Sequence, residues 1–304
     1  MSVLSLLPPL CALLLAPLLP GIITRTRCRL TGRQGPPLLQ GYRDLRKLLA
    51  KGAVYSRTTT GVFRGGALVG LAAVATAAAL VPLGAAPAPL AFPGDLILFC
   101  GLLALMRFVT VLAALDTGSA FEGMGASREV QFAALAEPAL VLALAVVVRS
   151  TGRLSLSGAF AALTPAAWGH EGAALVLVLG TLFVVYLTEN ARVPVDDPAT
   201  HLELTMIHEV MVLDHGGPDL GLIHYAAALK LWVLGAVLVG VALPVHGGSP
   251  WLAPAAALAG MLALALLVGV VETTMARLRL VRVPQLLVGA TALAVLALVL
   301  VMRG

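Results

Sequence analysis

Eight stretches of this chain run apolar for about twenty residues each, and that spacing constrains the fold more than any other feature. A helix needs roughly 20 such residues to cross the hydrocarbon core of a bilayer. The stretches lie at 3–24, 65–83, 95–115, 130–148, 172–188, 222–243, 251–271 and 284–301. They predict an all-α, polytopic helix bundle forming a single transmembrane domain over 1–304. Composition agrees: 60% of the 304 residues are hydrophobic and 12% charged, against about a quarter charged in soluble domains. Ala, Leu, Val and Gly dominate, and small residues let helix backbones approach closely in lipid.

The basic residues fix an orientation. Ten Lys or Arg lie between the first and second stretches, from Arg25 to Arg64. Arg128, Arg192, Arg277, Arg279 and Arg282 fall in loops on the same side, and only Arg149, Arg153 and Arg303 on the other. Fifteen against three makes the basic side the inner one. Both termini are then expected outside, as an even number of spans requires. No Lys or Arg precedes the first stretch, so it reads as a retained helix rather than a leader with charges first. The net charge of +5 therefore reports topology and does not point to nucleic acid.

Two inner segments stand out. Residues 41–51 place Leu45, Leu48 and Leu49 at helical spacing among Tyr42, Arg43, Asp44, Arg46 and Lys47, the pattern of an amphipathic helix lying in the membrane interface. These five residues are candidates for an interfacial docking surface. The stretch Asp116 to Glu129 reads as an inner loop. The segment 189–219 is the longest polar one and carries Glu189, Arg192, Asp196, Asp197, Glu203, Glu209 and Asp214, with His201, His208 and His215. Asp197-Pro198 is a turn and helix start, so a helix is expected from Pro198. His208-Glu209 would open a zinc-protease motif only with a histidine at 212, where Val212 stands. The cysteines, Cys11, Cys28 and Cys100, form no C-x-x-C pair. No metal site and no cofactor held by this chain alone is expected.

Three charges sit inside spans: Arg107, Glu137 and Lys230. Each lies roughly eight residues from an inner helix end, about 12 Å deep at 1.5 Å per residue. Equal depth predicts an ion pair between Arg107 and Glu137 with Lys230 nearby. The pair serves either an ion path or a purely structural lock between helices.

Three motifs carry a family resemblance: G-R-Q-G-P-P-L-L-Q-G-Y-R-D-L-R-K-L-L (32–49), D-T-G-S-A-F-E-G-M-G-A-S-R-E (116–129) and E-N-A-R-V-P-V-D-D-P-A-T-H-L-E-L-T-M-I-H-E (189–209). In this order the chain resembles the respiratory complex I subunit 1 family, and within it the hydrogenase branch, the membrane anchor of formate hydrogenlyase and related energy-converting nickel–iron hydrogenases. The resemblance implies a non-catalytic subunit of an inner-membrane oxidoreductase complex, one that docks a peripheral redox arm and links it to proton or sodium translocation. It implies partners: nickel–iron large and small subunits, an iron–sulfur subunit and antiporter-like membrane subunits, with the nickel–iron centre and the clusters on those partners. By motif, Glu129, Arg192, Asp196, Asp197, Glu203 and Glu209 would line a chamber, with Asp44, Arg46 and Lys47 at its mouth. Here the sequence departs from complex I, with D-D-P-A-T-H-L-E-L replacing the acidic stretch that begins E-x-x-R-x-P-F-D-x-x-E. That departure argues against a bound quinone. The alternative is the quinone-chamber subunit of a complex I-type NADH or ferredoxin dehydrogenase. An independent secondary transporter is disfavoured by the absence of an internal repeat.

Overall fold

The computed structural model describes residues 3–197, 206–244 and 251–303. Eleven α-helices follow in order: α1 (Leu7–Leu15), α2 (Leu18–Leu30), α3 (Gln40–Leu49), α4 (Gly61–Ala78), α5 (Asp95–Asp116), α6 (Ala120–Thr151), α7 (Leu156–Ala162), α8 (Pro165–Glu189), α9 (Gly217–Ala242), α10 (Leu252–Thr274) and α11 (Val283–Arg303). Short 3-10 turns cover Val3–Leu6, Glu209–Val212 and Leu280–Arg282. The described residues contain no strand. Seven helices, α4, α5, α6, α8, α9, α10 and α11, are each long and apolar enough to span a bilayer. α1 and α2 are long and apolar enough only as a pair bent by 50°, so the described residues hold seven spans, or eight if that pair crosses as one.

That bend corrects the expectation of one straight first helix. Pro17 stands at the break. It has no backbone N–H, so the carbonyl of Leu13 loses its helical donor. The hydroxyl of Tyr225, on α9, donates to it at 2.7 Å. The Tyr42 hydroxyl, on α3, donates to the next free carbonyl, that of Leu14. Tyr42 therefore turns inward, while Arg43, Asp44, Arg46 and Lys47 on the same helix are exposed.

α6 corrects a second expectation. The presumed loop before it shrinks to three residues, because Ser119 caps a helix that starts at Ala120, accepting the Glu122 N–H at 3.5 Å. The signal is a Ser-x-x-Glu capping box, hidden in a stretch whose glycines suggested a loop. Gly125, in the first turns of α6, lies against Ile207, whose carbonyl would stand 2.9 Å from any added Cβ. The acidic segment thus presses directly on α6. Arg128 adds a hydrogen bond to the Met206 carbonyl, 3.0 Å.

The helices pack around α9, the most buried of the spans. α4 lies on α5 and α9, α11 on α6 and α8, α10 on α2, and α3 on α9. Close approach depends on small residues: a side chain at Gly66 would meet Val109 on α5, and one at Gly269 would meet Thr26 on α2 at 2.7 Å. Glycine at such crossings lets helices gain van der Waals contact where lipid supplies no hydrophobic drive.

Candidate functional site

Arg107 is the centre of a charge cluster inside the bundle. Its guanidinium reaches three carboxylates on two other helices: Glu137 and Glu129 of α6 and Glu189 at the end of α8. The Glu129 contact is 3.4 Å, and Glu137 and Glu189 accept hydrogen bonds directly. Lys230, from α9, stands 3.7 Å from the other oxygen of Glu189. The Arg107, Glu189 and Lys230 side chains are all under 10% exposed. The expectation for Arg107, Glu137 and Lys230 was a pair with a neighbour; the structure gathers five groups. Two cations face three carboxylates, an excess of one negative charge.

Glu129 and Glu189 come to Arg107 because each ends up at membrane depth. α6 begins ten residues earlier than hydropathy suggested, which carries Glu129 well into a helix. Glu189 is the last residue of α8.

Below the cluster the chain turns sharply. Ala191 adopts a left-handed backbone, φ 48°, and the following loop is tied down by three ion pairs, each to a different element. Arg192 meets Glu272 on α10 at 3.2 Å, Asp196 meets Arg277 at 2.7 Å, and Asp197 meets Arg27 on α2 at 3.1 Å. Glu272 is almost wholly buried. It was not among the sequence candidates, because a single acid near a helix end carries no signal until its partner is known.

Between the α1–α2 bend, α3, this loop and α9 lies a chamber of about 630 Å³. Its apolar wall includes Pro17, Pro20, Leu45, Leu48, Ile223 and Leu231. Asp44 and Lys47 of α3, and Lys51 just past its end, stand along one side. Glu189, Arg192, Asp196, His208, Glu209 and Lys230 line the opposite part. Glu189 and Lys230 therefore belong to both the chamber and the buried cluster. His224 also lines it, and nothing in the sequence singled it out. Burial and the nearby Lys230 ammonium push the His208 imidazole down to about 4, so it is neutral at pH 7. Burial raises the Asp196 carboxyl, against the pull of Arg277.

Other candidates fall elsewhere. Asp214 is exposed and joins neither chamber nor cluster; its backbone N–H donates to Glu122 at 3.1 Å. Glu203 and His201 lie outside the described residues, as does most of the helix expected from Pro198. The described remainder of that helix, from Met206, is a bend followed by the 3-10 turn Glu209–Val212. His215 stacks flat on Phe63 at 3.9 Å, away from the chamber lining. Among the described residues no three His, Cys, Asp or Glu side chains come together in a way that could hold a metal ion.

A bundle of seven or eight membrane-spanning helices, with a chamber that leads to a cluster of charged side chains between them, is a multi-pass membrane protein. The chain belongs to the NADH dehydrogenase family, the group that includes complex I subunit 1; the family pattern matches residues 3–302. It is 33% identical to "Formate hydrogenlyase subunit 4" of Escherichia coli K12, over 98% of each chain. It is also 33% identical to "Hydrogenase-4 component C" of the same organism, over 76% of this chain and 72% of that one. Its fold matches a chain of the archaeal membrane-bound sulfane sulfur reductase, a respiratory membrane complex, with TM-score 0.82, 22% identity and 98% of both chains covered.

Proposed function

We propose that this chain is the membrane-anchor and coupling subunit of an energy-converting nickel–iron hydrogenase or formate hydrogenlyase complex in the cell inner membrane. It docks a peripheral redox arm on the basic, inner face and links that arm to proton or sodium translocation. The single observation that carries the reading is the continuity from chamber to cluster through Glu189 and Lys230. A change imposed at α3 or the 190–197 loop reaches charged groups at membrane depth through side chains in contact. A cluster with one carboxylate more than its cations is suited to taking up and releasing a cation. The hydrogenase names of the relatives support the choice of redox arm.

On this reading the nickel–iron centre and the iron–sulfur clusters belong to the partners, and this chain supplies position and charge. Arg43, Arg46 and Lys47, exposed on α3, form part of the docking face. Both termini lie outside.

The test is purification of the intact complex through a tag on this chain. Nickel–iron large and small subunits, an iron–sulfur subunit and antiporter-like subunits are expected with it. A chain that purifies alone and transports a solute would overturn the reading.

The chamber's apolar wall favours a second reading, a quinone chamber of a complex I-type dehydrogenase. Leu45, Leu48, Ile223 and Leu231 would hold the tail, with His208 and Lys230 at the polar end. The sequence departure after Asp197 weighs against it. Solvent extraction of the purified complex separates the two: about one quinone per complex favours the second.

A further inference from the structure

The end of the bundle opposite the basic face carries two arginines without a counterion. Arg149 lies in the last turn of α6, and Arg153 directly follows Gly152, which caps that helix. Both are exposed, and neither forms a hydrogen bond or an ion pair with any described residue. Their position runs against the charge bias of the chain, which keeps fifteen Lys and Arg on the other face.

Arg153 lines a groove of about 680 Å³, a size typical of small-ligand sites, about 300–1,000 Å³. Phe92 and Pro93, between α4 and α5, line one part of it; Arg153, Leu154, Gly158 and Ala161 line another. These two segments are tied together. The Gly94 N–H donates to the Leu154 carbonyl at 3.0 Å, and the Ala88 N–H to the Ser157 hydroxyl at 3.0 Å. The fully buried Asp95 carboxylate accepts from the Leu156 N–H at 2.8 Å and from the Phe92 N–H at 3.4 Å. Both its oxygens face backbone donors, so this acid leaves Arg153 unpaired. The groove is therefore pre-formed, and its positive charge is uncompensated. Beside it the surface is apolar: Leu154 is 59% exposed, and Ile97, in the first turn of α5, is 72% exposed. α5 begins here and α6 ends here, which sets the groove at the level where headgroups meet hydrocarbon.

We propose that this groove holds the headgroup of an anionic phospholipid, with its phosphodiester on the Arg153 guanidinium and an acyl chain along Leu154 and Ile97. Charge complementarity selects the occupant. A guanidinium fork matches two phosphate oxygens. Arg149 adds a second positive charge nearby in sequence, which favours a net-negative headgroup over a zwitterionic one that brings its own ammonium. A soluble anion would use the arginine and none of the apolar surface beside it. The bound lipid would brace the connection between α4 and α5 against the turn that ends α6. This goes beyond the proposed function and does not depend on which redox arm the chain serves.

The experiment reconstitutes the purified intact complex in phosphatidylcholine nanodiscs doped with phosphatidylglycerol that carries a photoactivatable group in one acyl chain. Labelled peptides are mapped by mass spectrometry. Label is expected on peptides covering 90–98 and 153–162, above that left by a phosphatidylcholine probe with the same chain. Arg153→Gln, at an exposed side chain with no described partner, should lower this label by about fivefold, the effect of one arginine near an anionic surface. Ala161→Trp, which fills the groove and leaves both arginines in place, should lower it as well. Label on the other spans should stay unchanged in both variants. Equal labelling by the two probes overturns the proposal, as does label that Arg153→Gln leaves intact. Loss of the label to soluble glycerol phosphate overturns it too, since the site would then read a free anion. So does an unlabelled groove, the result expected if another protein covers it. If the chain purifies without redox subunits, the proposed function falls, and the labelling still decides this proposal.

Discussion

Two groups of charges in this molecule, which meet where Glu189 ends α8 and the 190–197 loop begins, are built on opposite rules. Around Arg107, two cations face three carboxylates between helices α5, α6, α8 and α9. In the loop that follows, Arg192, Asp196 and Asp197 each take one partner of opposite sign on another element. The loop pairs balance and act as fastenings. The cluster does not balance: it holds one carboxylate more than its cations. The difference separates one-to-one ties between loop and helices from a shared cluster in which Arg107 alone meets three acids.

The largest effect is expected from Arg107→Ala. It leaves three carboxylates with Lys230 alone, and losing one partner of a buried pair costs about 3–5 kcal/mol. The chain should fail to accumulate in membranes, measured by immunoblot. Accumulation at the wild-type level would show that the cluster is not an electrostatic unit and would erase the contrast with the loop.

Arg192→Met comes next. It strands Glu272, which is nearly inaccessible, and should lower thermal stability in detergent by an amount close to the buried-pair range, about 3 kcal/mol. Glu189→Gln should act differently. On the proposed function, removing the excess charge should leave assembly and hydrogen evolution in place, while ion uptake into reconstituted vesicles falls by about tenfold or more. Equal loss of assembly and uptake would make the cluster one more fastening.

A subtler effect concerns pH. His208 has its folded value pushed down to about 4 from an ordinary 6.5. Between those values the unfolded chain binds the proton better, so stability falls as pH drops from 6.5 toward 4. Asp196 is raised by burial and works in the opposite sense, its folded form holding a proton more readily just above the ordinary value. Melting curves of wild type and His208→Gln across this window separate the two: the variant should lose the acid-side decline. The smallest effect is Arg27→Met. This pair with Asp197 is partly exposed, and its loss should cost about 1 kcal/mol or less, read as a small shift of the same melting curve.

Much of the fold was legible from hydropathy alone. The seven single-helix spans follow from apolar runs long enough to cross a membrane, and α3 from the interleaving of Leu45, Leu48 and Leu49 with charges. The early start of α6 was not legible, because Gly118, Gly123 and Gly125 resemble a loop; Gly125 is in fact there to admit Ile207. The site was half legible. Arg107, Glu137 and Lys230 announce themselves as charges in apolar runs. Glu129 and Glu189 sit at the ends of such runs, where a carboxylate is ordinarily solvated, and only the packing of α6 against α8 brings them to Arg107. Glu272, His208 and His224 depend on which helices become neighbours, and single-sequence spacing does not encode that.

Pro17 gives the chamber a condition of existence. A continuous first helix would bond its own carbonyls and run straight past α3. The broken one leaves two carbonyls for Tyr42 and Tyr225, and those hydroxyls come from α3 and α9, two of the helices that wall the cavity. The bend is thus a tie-beam as well as a gap: straightening the first span would release both walls at once. Whatever displaces the interfacial helix must either carry the bend with it or break the Tyr42 bond, so displacement of α3 on the surface and the width of the cavity beneath it are one mechanical variable.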